Sequence, residues 1–497
     1  MQRRFYLPLC VIGTVMVFSS AVAAAQNSSQ DIAQLKSQVR ELTALVHGLE
    51  TRVSALEKRS SGTQASAEDG IQLATAARLL RTGYEPAASA AEPETKLETQ
   101  TAPASPALSP SAQTPTPAAL PGVLPGGATL NYYFDGYFEN NFNNPTGRVN
   151  DLRAYDVLSR TFSLNQADLV FALDPDVASG RRYGVRVDLQ FGQATETLQG
   201  NPANEPRPEI YRNIFQAYGT YIAPLGSGLE VDFGKWSSSL GIEGNYTKDQ
   251  MNYSRAYYFY FLPFYHMGMK LHYNLSDKLG VNYWIVNGTN QSEPTNGYRD
   301  EMFGLVAAPK KTVNWTFNYY LGQEHPDAVA STNCTAPVQP GLCYQPLVHP
   351  ENGKLHIFDS YVAWNATPKL TLAAEGDYVI QRQWANAAPG QSSAPQHVDG
   401  GAAYAQYQFS PRWSIAGRAE YLSDRGGMFS GATQALKEGT ATYRYNASDN
   451  MALFVEYRRD WTNIPYFATN NPAGPSTHQD TLGAGVVWWY GGKQGAW

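Results

Sequence analysis

The sequence predicts an all-β protein: a transmembrane antiparallel β-barrel of about 16 strands, preceded by an N-terminal coiled-coil helix and a Pro/Ala-rich linker. Three observations carry that reading. Successive stretches alternate apolar with polar residues, as where Tyr183, Val185, Val187, Leu189 and Phe191 interleave with Arg182, Gly184, Arg186, Asp188 and Gln190. A period of two marks a strand with one apolar and one polar face. The chain holds 32 Tyr, 10 Trp and 20 Phe while only 16% of its residues are charged, which suits lipid-facing strands beneath aromatic girdles. The connections between candidate strands alternate short with long, as the turns and loops of outer-membrane barrels do. Beyond residue 25 no run of about 18 apolar residues occurs, which argues against a helical membrane protein. A soluble β-sandwich also alternates, but it would not present large aromatics outward along nearly every strand.

Taken in order, residues 1–25 read as a secretory signal. Arg3 and Arg4 form the basic end, Leu7 to Phe18 the apolar core, and Ala23-Ala24-Ala25 a small-residue cleavage site. Cys10 follows Pro8-Leu9, the wrong context for a lipoprotein anchor. In residues 26–59, Ile32, Leu35, Val39, Leu42, Val46, Leu49, Val53 and Leu56 are spaced alternately by 3 and 4. This is a heptad repeat with β-branched residues at a and leucine at d. Asp31 with Lys36 and Arg52 with Glu57 can pair between parallel helices, so a homo-oligomer through residues 32–56 is expected, as a dimer or a trimer. Residues 60–127 are rich in Ala, Pro, Thr and Ser and read as an extended, disordered linker. With the signal gone, only Cys334 and Cys343 remain, close together in one predicted loop, and an oxidising compartment favours a disulfide between them.

Residues 128–497 form the barrel. Strands are expected near 129–138, 160–173, 181–192, 210–222, 228–236, 264–275, 278–288 and 298–308. The other eight fall near 311–322, 353–366, 368–381, 397–409, 411–424, 436–447, 450–461 and 478–490. The facing of 281–286 and 355–364 is open, because apolar residues fall on both sides. Connections after even-numbered strands are mostly short, such as Ser276-Asp277 and Ser410-Pro411, with Asp174 to Gly180 and Ala223 to Ser227 somewhat longer, while those after odd-numbered strands are long. Short turns belong to the periplasmic side, which also puts the coiled coil in the periplasm of a bacterial outer membrane. The third long loop, 237–263, is a long polar and aromatic insert that carries Glu243, Lys248, Asp249 and Arg255.

Alternation places Arg182, Arg186, Arg212, Lys270, Arg412, Arg418, Arg444 and Arg458 inward. It places Asp188, Glu230, Asp232, Glu375, Asp377, Glu420 and Glu456 there too. Opposed acids and bases across a narrow aqueous opening order water, and rings of charge set ion preference. The same charges could equally solvate the lumen or pair across strands. His266 and His272 lie about 20 Å apart along one strand, too far to share one ion. No metal motif, phosphate loop or G-x-S-x-G elbow occurs, so no cofactor, no metal and no enzymatic activity are expected.

Gly234-Lys-Trp-Ser-Ser-Ser-Leu-Gly-Ile-Glu243, Asn252-Tyr-Ser-Arg-Ala-Tyr257 and Pro263-Phe-Tyr-His-Met-Gly268 resemble segments of the OmpL-like β-barrel porins. The resemblance covers roughly 130–497. Sixteen strands with a long third loop also resemble the general diffusion porins, where that loop folds inward and carries acids facing a basic wall. The resemblance implies an outer-membrane channel for passive diffusion of small hydrophilic solutes. It transfers no individual constriction residue, because loop order matches but loop sequence does not. The chain departs at its end: Leu482, Ala484, Val486, Trp488 and Tyr490 precede a seven-residue tail, leaving Tyr490 or Trp497 as the terminal aromatic assembly signal. A competing reading is a structural tether or adhesin using the coiled coil, a peptidoglycan contact and the external loops. Outer-membrane lipid is the expected surrounding in either case, and no nucleic-acid partner is expected.

Overall fold

The computed structural model describes residues 122–198, 205, 207–330, 344–348, 350–382 and 395–492. The signal, the heptads at 32–56, nearly all of the linker, Cys334, Cys343 and Trp497 lie outside the described residues. Within them, 16 antiparallel strands close into a barrel. They are β1 (Thr129–Asn141), β2 (Phe162–Leu173), β3 (Tyr183–Phe191), β4 (Ile214–Ala223), β5 (Leu229–Ser237), β6 (Tyr265–Ser276), β7 (Leu279–Val286) and β8 (Asp300–Lys310). There follow β9 (Val313–Gly322), β10 (Leu355–Thr367), β11 (Leu370–Gln381), β12 (Gln396–Ser410), β13 (Trp413–Arg425), β14 (Gln434–Ser448), β15 (Met451–Thr462) and β16 (His478–Gly491). Closure pairs β1 with β16, Tyr132 opposite Tyr490 and Asn141 opposite Thr481. Every backbone hydrogen-bonding edge is thereby satisfied inside the sheet, the condition for crossing lipid with strands.

Alternation is realised as read. On β3, Tyr183 and Val185 are exposed on the outer face while Asp188 and Gln190 are buried on the inner one. Phe162, Phe233, Trp315, Trp413 and Trp488 are among the large apolar side chains left exposed outside, where lipid replaces water. One strand starts later than its pattern suggested. Pro208–Tyr211 form a single helical turn, with Pro208 at a first-turn position where its missing N–H costs nothing, and β4 begins only at Ile214. The fifth long connection carries a small ribbon of its own, Ala328–Ala330 paired with Tyr344–Pro346.

The largest apolar cluster lies inside the barrel. Trp284, Val286, Met302, Leu355, Ile357 and Val379 point inward from the wall and meet Leu240, Tyr257, Tyr258 and Leu262 of the loop between β5 and β6. That resolves the ambiguous faces of β7 and β10. Their inner faces are apolar at the ends where they pack the loop, Trp284 and Val286 on β7 and Leu355 and Ile357 on β10.

Candidate functional site

The loop 238–264 runs through the lumen and touches most of the wall. Its entry is fixed at Ser239, whose carbonyl accepts from Asn318 Nδ2 at 2.9 Å and Tyr361 Oη at 3.2 Å. It then crosses to the β1–β3 side. Asn245 Nδ2 donates to Gln190 Oε1 at 3.0 Å, Tyr246 Oη to Asp188 Oδ2 at 2.9 Å, and Thr247 Oγ1 to Asp135 Oδ2 at 2.5 Å. From there it turns to β14 and β15, where Asn252 Nδ2 donates to Thr442 Oγ1 at 2.7 Å. The ring of Tyr253 packs against β16 where Gly485 has no side chain: a Cβ there would come within 2.3 Å of the ring.

Two wall carboxylates hold the returning limb by its backbone. Glu456 accepts the N–H groups of Tyr253 and Ser254 at 2.7 and 2.9 Å. Glu420 accepts those of Tyr257 and Tyr258 at 2.7 and 2.9 Å, at the first turn of the short helix Tyr257–Phe261. A carboxylate there satisfies donors the helix cannot.

The arginines complete the latch. Arg418, with no exposed side-chain surface, bonds Glu243 of the loop at 2.8 Å and Glu438 at 2.7 Å, and donates to Ser254 O at 2.9 Å. Arg458 bonds Asp460 at 2.7 Å and donates to Arg255 O at 2.5 Å. Arg153, from the first long loop, reaches the other oxygen of Asp460 at 2.8 Å and also pairs with Asp156. Arg255 is turned onto its own loop, donating to the carbonyls of Gly244 at 3.0 Å and Tyr253 at 2.7 Å.

The other basic candidates scatter. Arg186 and Lys270 face the lumen, each on an acid of the wall: Asp188 at 2.8 Å and Asp232 at 2.6 Å. Arg444 donates to the Lys248 carbonyl at 3.0 Å. Lys248 pairs with Asp249 at 2.8 Å, and these three, with Gln250 and Gln406, line a cavity of about 60 Å³ at the short-turn end of the barrel. That volume holds a few waters. Burial holds the Lys248 ammonium below the ordinary lysine range; Asp249 offsets part of this and Arg444 adds to it. Arg182 sits at the short-turn end, bonded to the Ile222 carbonyl, and Arg412 is exposed in the turn before β13. Arg212 is not luminal. It precedes the true start of β4 and pairs in an outer loop with Glu196 at 2.7 Å and Glu209 at 3.5 Å. His266 bonds Ser238 Oγ and the Gly288 carbonyl, and His272 bonds Asn282, so both are structural.

Sequence reasoning missed Arg153, because first-loop residues show no periodicity that would turn one inward. It also missed the loop's apolar anchorage, although the two-sided apolar pattern of β7 and β10 was the available signal.

A search among curated proteins finds no match. Among solved structures, the chain is similar to OmpT, an outer membrane protein of Vibrio cholerae, at 10% identity over 73% of this chain and 98% of that one, with a TM-score of 0.43. It is similar to the outer membrane channel DcaP of Acinetobacter baumannii at 9% identity, covering 73% and 97%, with a TM-score of 0.45. It is similar to the anion-selective porin of Comamonas acidovorans at 8% identity, covering 73% and 99%, with a TM-score of 0.43. The family model described as "Putative beta-barrel porin-2, OmpL-like" matches residues 127–488. The chain belongs to that family of outer-membrane porins.

Proposed function

We propose that this porin is a narrow passive-diffusion channel for small hydrophilic solutes and ions, with loop 238–264 as its constriction. One observation carries the reading: the loop is bonded to opposite walls at Asp135, Thr442 and Asn318, so any solute must pass beside it. Two kinds of charge then do different work. Arg418 and Arg458 are paired with Glu243, Glu438 and Asp460 and hold the loop. Lys248, Asp249 and Arg444 line the remaining cavity and set ion preference. No chemistry beyond transport is assigned. Assembly through residues 32–56, contact with peptidoglycan and a disulfide between Cys334 and Cys343 belong to the same proposal.

Planar-bilayer recording of the purified protein tests it. Ohmic channels are expected, with a reversal potential in a salt gradient that moves towards cations in Lys248→Gln and towards anions in Asp249→Asn. A protein without ohmic steps would favour the tether reading, which the loop's apolar packing inside the barrel also suits.

A further inference from the structure

Across four neighbouring strands, one row of inward positions reads Asn318 on β9, Asp359 on β10, Asp377 on β11 and Gly400 on β12, each directly opposite the next. Glu375 lies two residues along β11 on the same face. Two carboxylates placed directly opposite each other repel, and these three each bring an oxygen within 4.8 Å of the others. Among the described residues none of the three is in an ion pair with a lysine or arginine, and all are buried. Asp359 is partly served by Asn318 Nδ2 at 2.8 Å and Gly241 N at 3.2 Å. Among the described residues Asp377 meets no donor other than the carboxyl group of Asp359, and Glu375 is served only by the Ile242 backbone N–H and by Tyr404 Oη at 3.4 Å.

A second observation comes from the loop. Tyr258 is fully buried and, among the described residues, its hydroxyl is without a hydrogen-bond partner. A Cβ on Gly400 would lie 2.9 Å from that hydroxyl, so Tyr258 occupies the side-chain place facing Asp377 across the β11–β12 pair. Gly241, at φ +86°, brings the loop's other limb over the cluster: a Cβ there would stand 3.1 Å from Glu375 Oε1. Three carboxylates and a phenol oxygen therefore converge at the seam between wall and loop, with donors for only part of their lone pairs.

We propose that this seam is a binding site for a hard divalent cation of the calcium class, ligated by Asp359, Glu375 and Asp377 with the Tyr258 hydroxyl beside them. All-oxygen donors select hard cations. Calcium fits better than magnesium, because donors fixed by sheet register tolerate its longer and less regular bonds. The ion ties β10 and β11 to the loop, as the arginines tie β13 to β15, and the site does not depend on what the pore transports.

Isothermal titration calorimetry of the full-length protein in detergent, first stripped with chelator and then titrated with CaCl₂ at neutral pH, tests this. The expected result is one saturable site with a dissociation constant on the order of 10⁻⁵ to 10⁻³ M, weakened at least about tenfold in Asp377→Asn. Asp480→Asn, an acid paired with Arg459 elsewhere on the barrel, should bind as the wild type does. If Asp377→Asn does not fold, as judged by heat-modifiable mobility, Glu375→Gln is measured instead with the same expectation. No saturable calcium heat in the wild type, or an unchanged isotherm in the folded variant, overturns the proposal.

Discussion

Two parts of the wall face the same loop with opposite electrostatic solutions. On β13 to β15, Glu438, Asp460 and the loop's Glu243 are interleaved with Arg418, Arg458 and Arg153, so each of these three carboxylates meets a guanidinium, while Glu420 and Glu456 are met by backbone N–H groups of the loop. On β10 and β11, Asp359, Glu375 and Asp377 cluster with no such partner among the described residues. Both sets are buried, and an isolated charge is costly to bury. One side is complete within the chain; the other is completed by something added, a cation or shared protons. Luminal charge therefore does two kinds of work. Where both signs are present the charges act as structure, and where one sign stands alone the site can take a ligand.

The largest effect is expected at Arg418. Replacing it with Met strands Glu243 and Glu438 without their shared partner, and removing one member of a buried ionic network costs about 3–5 kcal/mol. The heat-modifiability midpoint of Arg418→Met should therefore fall steeply, while an unchanged midpoint would mean that the network holds little. On β10 and β11 the sign differs. Asp377→Asn removes a like-charge repulsion, so in chelator-treated protein its midpoint should equal or exceed that of the wild type by up to about 1 kcal/mol. A steep loss there would erase the contrast between the walls.

A third effect concerns conduction. Lys248 is charged below its lowered pKa and loses its charge as pH rises through it, earlier than a surface lysine would. Cation preference should therefore grow at moderately alkaline pH in the wild type, and this pH step should vanish in Lys248→Gln. The smallest effect belongs to Arg212, whose exposed outer-loop pairs are worth little. Arg212→Ala should shift stability by less than about 0.5 kcal/mol and leave the reversal potential unchanged.

The barrel was legible in the sequence because alternation and loop length are local, redundant signals, repeated over 16 strands. Where they competed with another local rule the reading slipped: Pro208 starts a helical turn, and Arg212 was carried onto a strand that begins two residues later. The inward course of the third loop was suggested only by likeness to other porins. Its anchorage depends on contacts far apart in sequence, such as Tyr257 with Asp460 and Ser254 with Arg418, which no periodicity encodes. The pairing of Asp359 with Asp377 follows from register across the β10–β11 turn, so strand positions alone came close to it. Knowing that both faces of β7 and β10 were apolar would have pointed to a packed lumen, had the inner face not been assumed to be wet.

Single-channel conductance reads whether the loop narrows the pore. Ala256 N donates to Glu243 Oε2 at 2.7 Å, so the limbs of the loop meet there and a short Gly/Ser linker can replace residues 244–255. In planar bilayers this variant should conduct several-fold more than the wild type and lose the wild type's ion preference. Equal conductance in the two folded proteins would place the constriction elsewhere in the barrel.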